Sequence, residues 1–303
     1  MSEINIPVCF GVQGMICATV RDKFGNIKQQ LEWFPNVITD AGLNSMATNS
    51  PHPQCHIGTG TATPAVTDSA YSNVAATATS VFSSTSGVTT TAPYYGYTTQ
   101  TWRFAAGAGT GNLTDVWFGT ATVPFSHALF KDSNGNPVTI TKTAEDSLDV
   151  TYQRRVYVPT EDVVVPVTVN GVAAGSATIR AARCAESTYW SGSLAAISMS
   201  SNMWNYSGTL GAITGTPSGT VLSMSSANWT YVATTYVANS LSRTWNVTWG
   251  LTQGNNATGG FRSIVHTITG LGTFQVEFPA TLNKVSTNVL TYSVTATWSR
   301  YAG

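Results

Sequence analysis

Apolar and polar residues alternate along much of this chain with a period of two, and that pattern predicts β-strands. In LDVTYQRRVYV, residues Leu148, Val150, Tyr152, Arg154 and Val156 share one face, and Asp149, Thr151, Gln153, Arg155 and Tyr157 share the other. The first face is mainly apolar and is expected to pack inward. Arg154 would then need a carboxylate partner or a route to solvent. NVLTYSVTATWSRY divides in the same way: Leu290, Tyr292, Val294, Ala296 and Trp298 form its apolar face.

Turn residues punctuate the strands. MICATVRDKFGNIKQQLEWF holds two extended runs around Phe24, Gly25 and Asn26. Thr39 or Asp40 can cap a short helix with Ala41, Leu43, Met46 and Ala47 on one side. QCHIGTG reads as a short strand ending in glycines. Residues 59–93 are a polar Thr/Ser/Ala stretch, expected to be a surface excursion with one strand near Val81 and Phe82. Residues 97–104 and 113–119 are strands flanking AAGAGTG, where glycine lets the chain turn tightly. That loop lacks the Lys-Ser/Thr end of a phosphate loop and opens no apolar helix. Asn134 and Gly135 form a hairpin turn. Asp132, Asn134 and Asn136 begin like a calcium loop, but Thr143 stands where the distal Glu belongs.

VPTEDVVVP, with two prolines and an acidic pair after a long strand, marks a boundary at 158–166, and an Asn170–Gly171 hairpin opens the second unit. Residues 186–215 fit a short helix or an aromatic-anchored loop, and strands return from 219. The expected fold is mostly β: two β-sandwich-like domains, residues 1–160 and 163–303, with one or two short helices. A length of 303 residues suits two domains of ordinary size.

Composition narrows the function. Charged residues make up 9% of the chain, against about 25% in typical soluble proteins, and the net charge is zero. A neutral polar surface repels neighbours weakly, which favours life inside an assembly. The basic residues form no stripe, so nucleic acid is not an expected partner. No run approaches a membrane span, and no membrane insertion is expected. The first residues lack the basic and apolar segments of a signal peptide, so synthesis in a reducing cytoplasm is expected. Cys9, Cys17, Cys55 and Cys184 then read as buried free thiols. The sequons at Asn112, Asn205, Asn228, Asn246 and Asn256 follow from a composition rich in Asn, Ser and Thr.

Chemistry-bearing groups are sparse. PHPQCH brings His52, Cys55 and His56 close together, but no fourth ligand is apparent, and the alternative places Cys55 inward with the histidines near the surface. The acidic pairs Glu161/Asp162 and Glu145/Asp146 are adjacent in sequence, so in an extended segment their members diverge. There is no G-x-S-x-G elbow and no H-E-x-x-H. No catalytic, metal or cofactor residue is assigned. Aromatics are abundant. Trp102, Trp245, Trp249 and Trp298 are expected in the core. Tyr94, Tyr95, Tyr97, Trp190, Trp204 and Tyr206 fall in expected loops and are the candidate interaction residues, able to stack on sugars or anchor protein contacts.

Four segments taken in order, NVITDAGLNSM, CHIGTGTATPAVTDSAY, YTTQTWRFAAGAGTGNLTDVWFG and HALFKDSNGNPVTITKTAEDSLDVTYQRRVY, resemble a module of tailed-bacteriophage virion proteins. The likeness covers roughly residues 36–158. The C-terminal segment with FQVEFPATLNK resembles the ending of such proteins. The resemblance implies a non-enzymatic building block, made in the host bacterial cytoplasm and embedded in the virion by contacts with other phage proteins. A homo-oligomer at the tail tip, baseplate or fibre attachment is the first expectation. A collar or capsid decoration protein, or a receptor- or glycan-binding tail protein touching the host surface, are the alternatives. The chain departs from the pattern at Trp117, where a smaller residue is expected, and at His127, where a basic one is.

Overall fold

The longest alternation in the chain sets the architecture. The computed structural model describes residues 4–48, 52–169, 172–190, 195–224, 229–255 and 259–302. Strand β1 (Asn5–Arg21) buries Ile6, Val8, Phe10, Val12, Ile16, Ala18 and Val20, while the residues between them stay half-exposed or exposed. After a turn with Gly25 at φ 88° come β2 (Ile27–Pro35), β3 (Val37–Ile38) and helix α1 (Asp40–Ser45). Thr39 caps α1, its hydroxyl accepting from the Gly42 N–H at 2.8 Å, which satisfies a donor the helix start leaves open. β4 (Gln54–Gly58) follows. The polar stretch holds two strands rather than one, β5 (Val74–Ala78) and β6 (Ser83–Val88). Both show little burial, so neither carries an apolar alternation to read.

β7 (Tyr95–Phe104) leads through the glycine turn to β8 (Gly111–Leu113), β9 (Asp115–Gly119), β10 (Pro124–Leu129), β11 (Ile140–Lys142) and β12 (Ser147–Tyr157). The second half holds β13 (Val163–Val169), β14 (Val172–Ala181), α2 (Ser187–Trp190), β15 (Ser198–Tyr206), β16 (Val221–Met224), β17 (Thr230–Ala233), β18 (Ser242–Trp249), β19 (Phe261–Thr269), β20 (Gly272–Leu282) and β21 (Leu290–Arg300). β13 and β14 pair as the predicted hairpin, though its Asn170–Gly171 turn lies outside the described residues, as do Asn228 and Asn256. The chain is mostly β, with 55% in strands and, among the described residues, two short helices.

Among the described residues the strands form four sheets. The largest has eight strands in the order β17-β18-β21-β1-β12-β7-β6, with β2 also paired to β1. A five-stranded sheet (β3-β10-β9-β4-β5) and a six-stranded sheet (β13-β14-β20-β19-β15-β16) pack on its inner face, and β8 pairs with β11. Under one end, Phe118 of the five-stranded sheet stacks on Tyr152 at 4.3 Å and meets Trp102 at 5.3 Å. Under the other end, Phe261 and His266 of the six-stranded sheet meet Trp249 and Tyr292. The result is two sandwich-like layers sharing one long sheet.

The large sheet crosses the division expected at 160–163. The smaller sheets do separate there, but the large one draws on both halves. β1 runs parallel to β21 from Asn5↔Ser293 to Val12↔Arg300, and antiparallel to β12 from Gly11↔Tyr157 to Arg21↔Ser147. Helix α1 is also gripped by the C-terminal half. Trp298 Nε1 donates to the Leu43 carbonyl at 2.8 Å, Tyr236 donates to Asn44 Oδ1 at 2.9 Å, and Arg300 pairs with Asp40 at 2.6 Å. Sequence proximity marks the local turn at 158–166 and carries no trace of pairing across nearly the whole chain.

Candidate interaction site on the outer sheet face

The outer face of the large sheet is built from the odd-numbered residues of β1 and their cross-strand partners. Register places Gly11, Tyr157 and Tyr95 in one transverse row, then Gln13, Arg155, Tyr97 and Gly87, then Met15, Gln153, Thr99 and Thr85. Two of the predicted aromatics thus fall on a common surface with residues distant in sequence. Tyr157 stacks on Tyr301 with centroids 3.5 Å apart and planes 3° from parallel, and Tyr95 lies 5.0 Å from Tyr157 and 6.1 Å from Tyr97. Glycines make room for the rings. A Cβ on Gly11 would sit 2.9 Å from Tyr301 Cδ2, and one on Gly87 would sit 2.7 Å from the Tyr97 hydroxyl oxygen.

Hydrogen bonds fix the polar side chains around the rings. Tyr157 donates to Gln13 Oε1 at 2.7 Å, Arg155 Nε donates to Gln153 Oε1 at 2.6 Å, and Gln153 Nε2 donates to Thr99 Oγ1 at 3.0 Å. Burial raises the Tyr157 phenol above its ordinary pKa against the opposing pull of Arg155, so the phenol stays a donor. The Arg155 guanidinium lies 4.8 Å over the Tyr95 ring, a cation–π contact. Elsewhere on this face Arg103 is neutralised by Asp149 through bonds of 2.6 and 2.7 Å. Arg155 has no ion pair among the described residues.

The other predicted aromatics lie elsewhere. Tyr94 packs against the core. Trp190, Trp204 and Tyr206 are buried, which corrects their assignment to open loops. Trp190 ends α2 and donates to the Ala182 carbonyl at 2.7 Å, while Trp204 and Tyr206 belong to β15. Sequence reasoning missed Gln13, Arg155, Tyr157 and Tyr301 as site residues. For Arg155 and Tyr157 the signal was present, because alternation already set them on the face opposite Val156.

The His52–Cys55–His56 group does not converge, and both histidines are buried rather than near the surface. His52 sits between Phe125 and Tyr152, and burial, aided by Arg154, holds its pKa well below the usual value. His56 bonds Thr77 at 2.8 Å. Arg154 is itself fully buried, and desolvation draws its pKa down to about 10. Among the described residues no group of three or more His, Cys, Asp or Glu side chains could hold a metal ion. The acidic pairs are engaged: Asp162 with Arg180, Glu145 with Lys23, and Asp146 with Lys28. Cys9 is exposed and Cys17 half-exposed, so only Cys55 and Cys184 match the expected burial.

The two departures from the resemblance prove to be one feature. Trp117 and His127 are cross-strand partners on β9 and β10, stacked 3.5 Å apart at 5°. His127 Nδ1 bonds Asp68 at 2.7 Å, and Asp115 accepts from Trp117 Nε1 at 2.9 Å and from the Gly60 N–H at 3.1 Å. Together these tie the loop after β4 onto the five-stranded sheet.

No family model, curated protein or solved structure matches this chain. Its reading therefore rests on its own residues. Among the described residues no helix is long and apolar enough to cross a membrane.

Proposed function

We propose that this chain is a non-enzymatic building block of a tailed-bacteriophage virion, held in place by contacts with copies of itself and with other virion proteins. The tail tip, baseplate or fibre attachment is the preferred location, and a collar or capsid decoration site is the alternative. The observation that carries this reading is the outer face of the large sheet: broad, ordered, low in charge and, among the described residues, covered by no other sheet. Such a face suits subunit contact through shape and hydrogen bonds, with ion pairs adding little. The region resembling virion proteins supplies β12, which pairs with β1, and β7 and β6 beyond it, so the module contributes one side of this face.

Gold labelling of the tagged protein in intact particles, followed by electron microscopy, tests the location. Particles without label refute the virion role. A salt wash tests the contacts: the protein is expected to stay bound in molar salt, and release at moderate salt shows that screened charges hold it instead.

A second reading has its own support. The tyrosine cluster with Arg155 has the make-up of a sugar-stacking surface, which favours host-glycan contact by a tail protein.

A further inference from the structure

We infer that the tyrosine platform takes a carboxylate-bearing saccharide, its pyranose rings stacked over Tyr95 and Tyr97 and its carboxylate on Arg155. This inference rests on the glycan-contact reading and specifies its ligand.

Three features point to that chemistry. The rings are pre-positioned, because Tyr157 is clamped against Tyr301 and Tyr97 lies over Gly87, so little side-chain freedom is lost on binding. Their surroundings are amphipathic on the scale of a sugar. Aromatic faces meet C–H surfaces, while Gln13, Gln153 and Thr99 stand beside them with fixed amide and hydroxyl groups for the hydroxyl rim. Charge decides the rest. Asp149 cancels Arg103, but Arg155 faces its aromatic neighbours with a net positive charge. A guanidinium over an aromatic ring, held by Gln153 through Nε and hydrogen-bonded to the Tyr157 phenol, is fixed in place without a carboxylate of its own among the described residues, which suits a planar anion such as a carboxylate.

Calorimetric titration of the full chain tests this with trigalacturonic acid and sialyllactose, each against its neutral counterpart (the methyl ester and lactose), and with inorganic phosphate. At least one acidic sugar is expected to bind more tightly than its neutral form by at least about tenfold. Arg155→Gln should erase that preference and Arg155→Lys should restore part of it. Arg103→Gln, on the same face, should leave it unchanged. Tyr97→Ala, checked for folding by thermal melt, should weaken acidic and neutral sugars alike. Equal binding of acidic and neutral forms, or a preference that survives Arg155→Gln, overturns the inference while leaving glycan contact standing. Binding of phosphate with no sugar, or of nothing at all, overturns both. The labelling of virions is unaffected by either result.

Discussion

On the inner face of the large sheet, Trp102, Tyr152, Trp245 and Trp298 are almost wholly buried. One residue away on the same four strands, Thr101, Thr151, Thr244 and Thr297 stand on the outer face. There Thr101 bonds Thr151 at 2.8 Å and Thr244 bonds Thr295 at 2.9 Å. The inner face gains its stability by removing large apolar surfaces from water. The outer face satisfies its polar groups sideways, strand to strand, and needs no layer above it. One backbone thus carries a face committed to folding and a face left open for a ligand or a neighbour.

The most severe break is to cut the sheet itself. Residues 1–160 and 163–303, expressed apart, are each expected to fail to give a cooperative thermal transition, because the cut separates β1 from β21. Co-expression should restore one. Two independently folded halves would show that the shared sheet contributes nothing to stability. Next comes the inner face: Trp298→Ala removes a buried ring and its bond to Leu43, and should cost about 3–5 kcal/mol in denaturant unfolding.

Acid should act on the inner face as well. Burial lowers His266 to about 3 and holds His52 well below its ordinary value, so both are neutral in the folded chain near neutral pH. The unfolded chain takes up these protons near pH 6.5, and the folded chain resists them until far lower pH. Stability is therefore full above 6.5 and falls as pH drops from there toward 3, by roughly a few kcal/mol for His266, with His52 acting in the same direction. His266→Gln should flatten that slope, and an unchanged slope would remove His266 from the account. The outer face should respond least. Arg103→Gln breaks a partly exposed surface ion pair and should cost about 1 kcal/mol or less. A larger loss would mean that the outer face also holds the fold.

Much of this division could be read from the chain. The faces of β12 and β21 follow from alternation, and Thr39 from capping chemistry. β5 and β6 left no such trace, because Ser, Thr and Ala line them on both sides and little of them is buried. Trp204 and Tyr206 looked like loop residues because SMSSNMWNY begins with small polar residues and does not alternate cleanly. Half of the candidate site was visible as YYGY and as the polar side of β12. Its assembly was not, since Tyr301 and Tyr95 meet through Tyr157 by way of pairings that span most of the chain.

The parallel pairing of β1 with β21 also sets a schedule for synthesis. The ribosome makes β1 well before its neighbour β21, so Ile6, Val8, Phe10 and Val12 wait without their final companions until residues 290–300 emerge. Contacts this far apart close slowly, and an apolar strand left waiting is open to capture by another nascent chain. Production of this protein should therefore be limited by what shields β1 during that interval more than by the stability of the finished sheet.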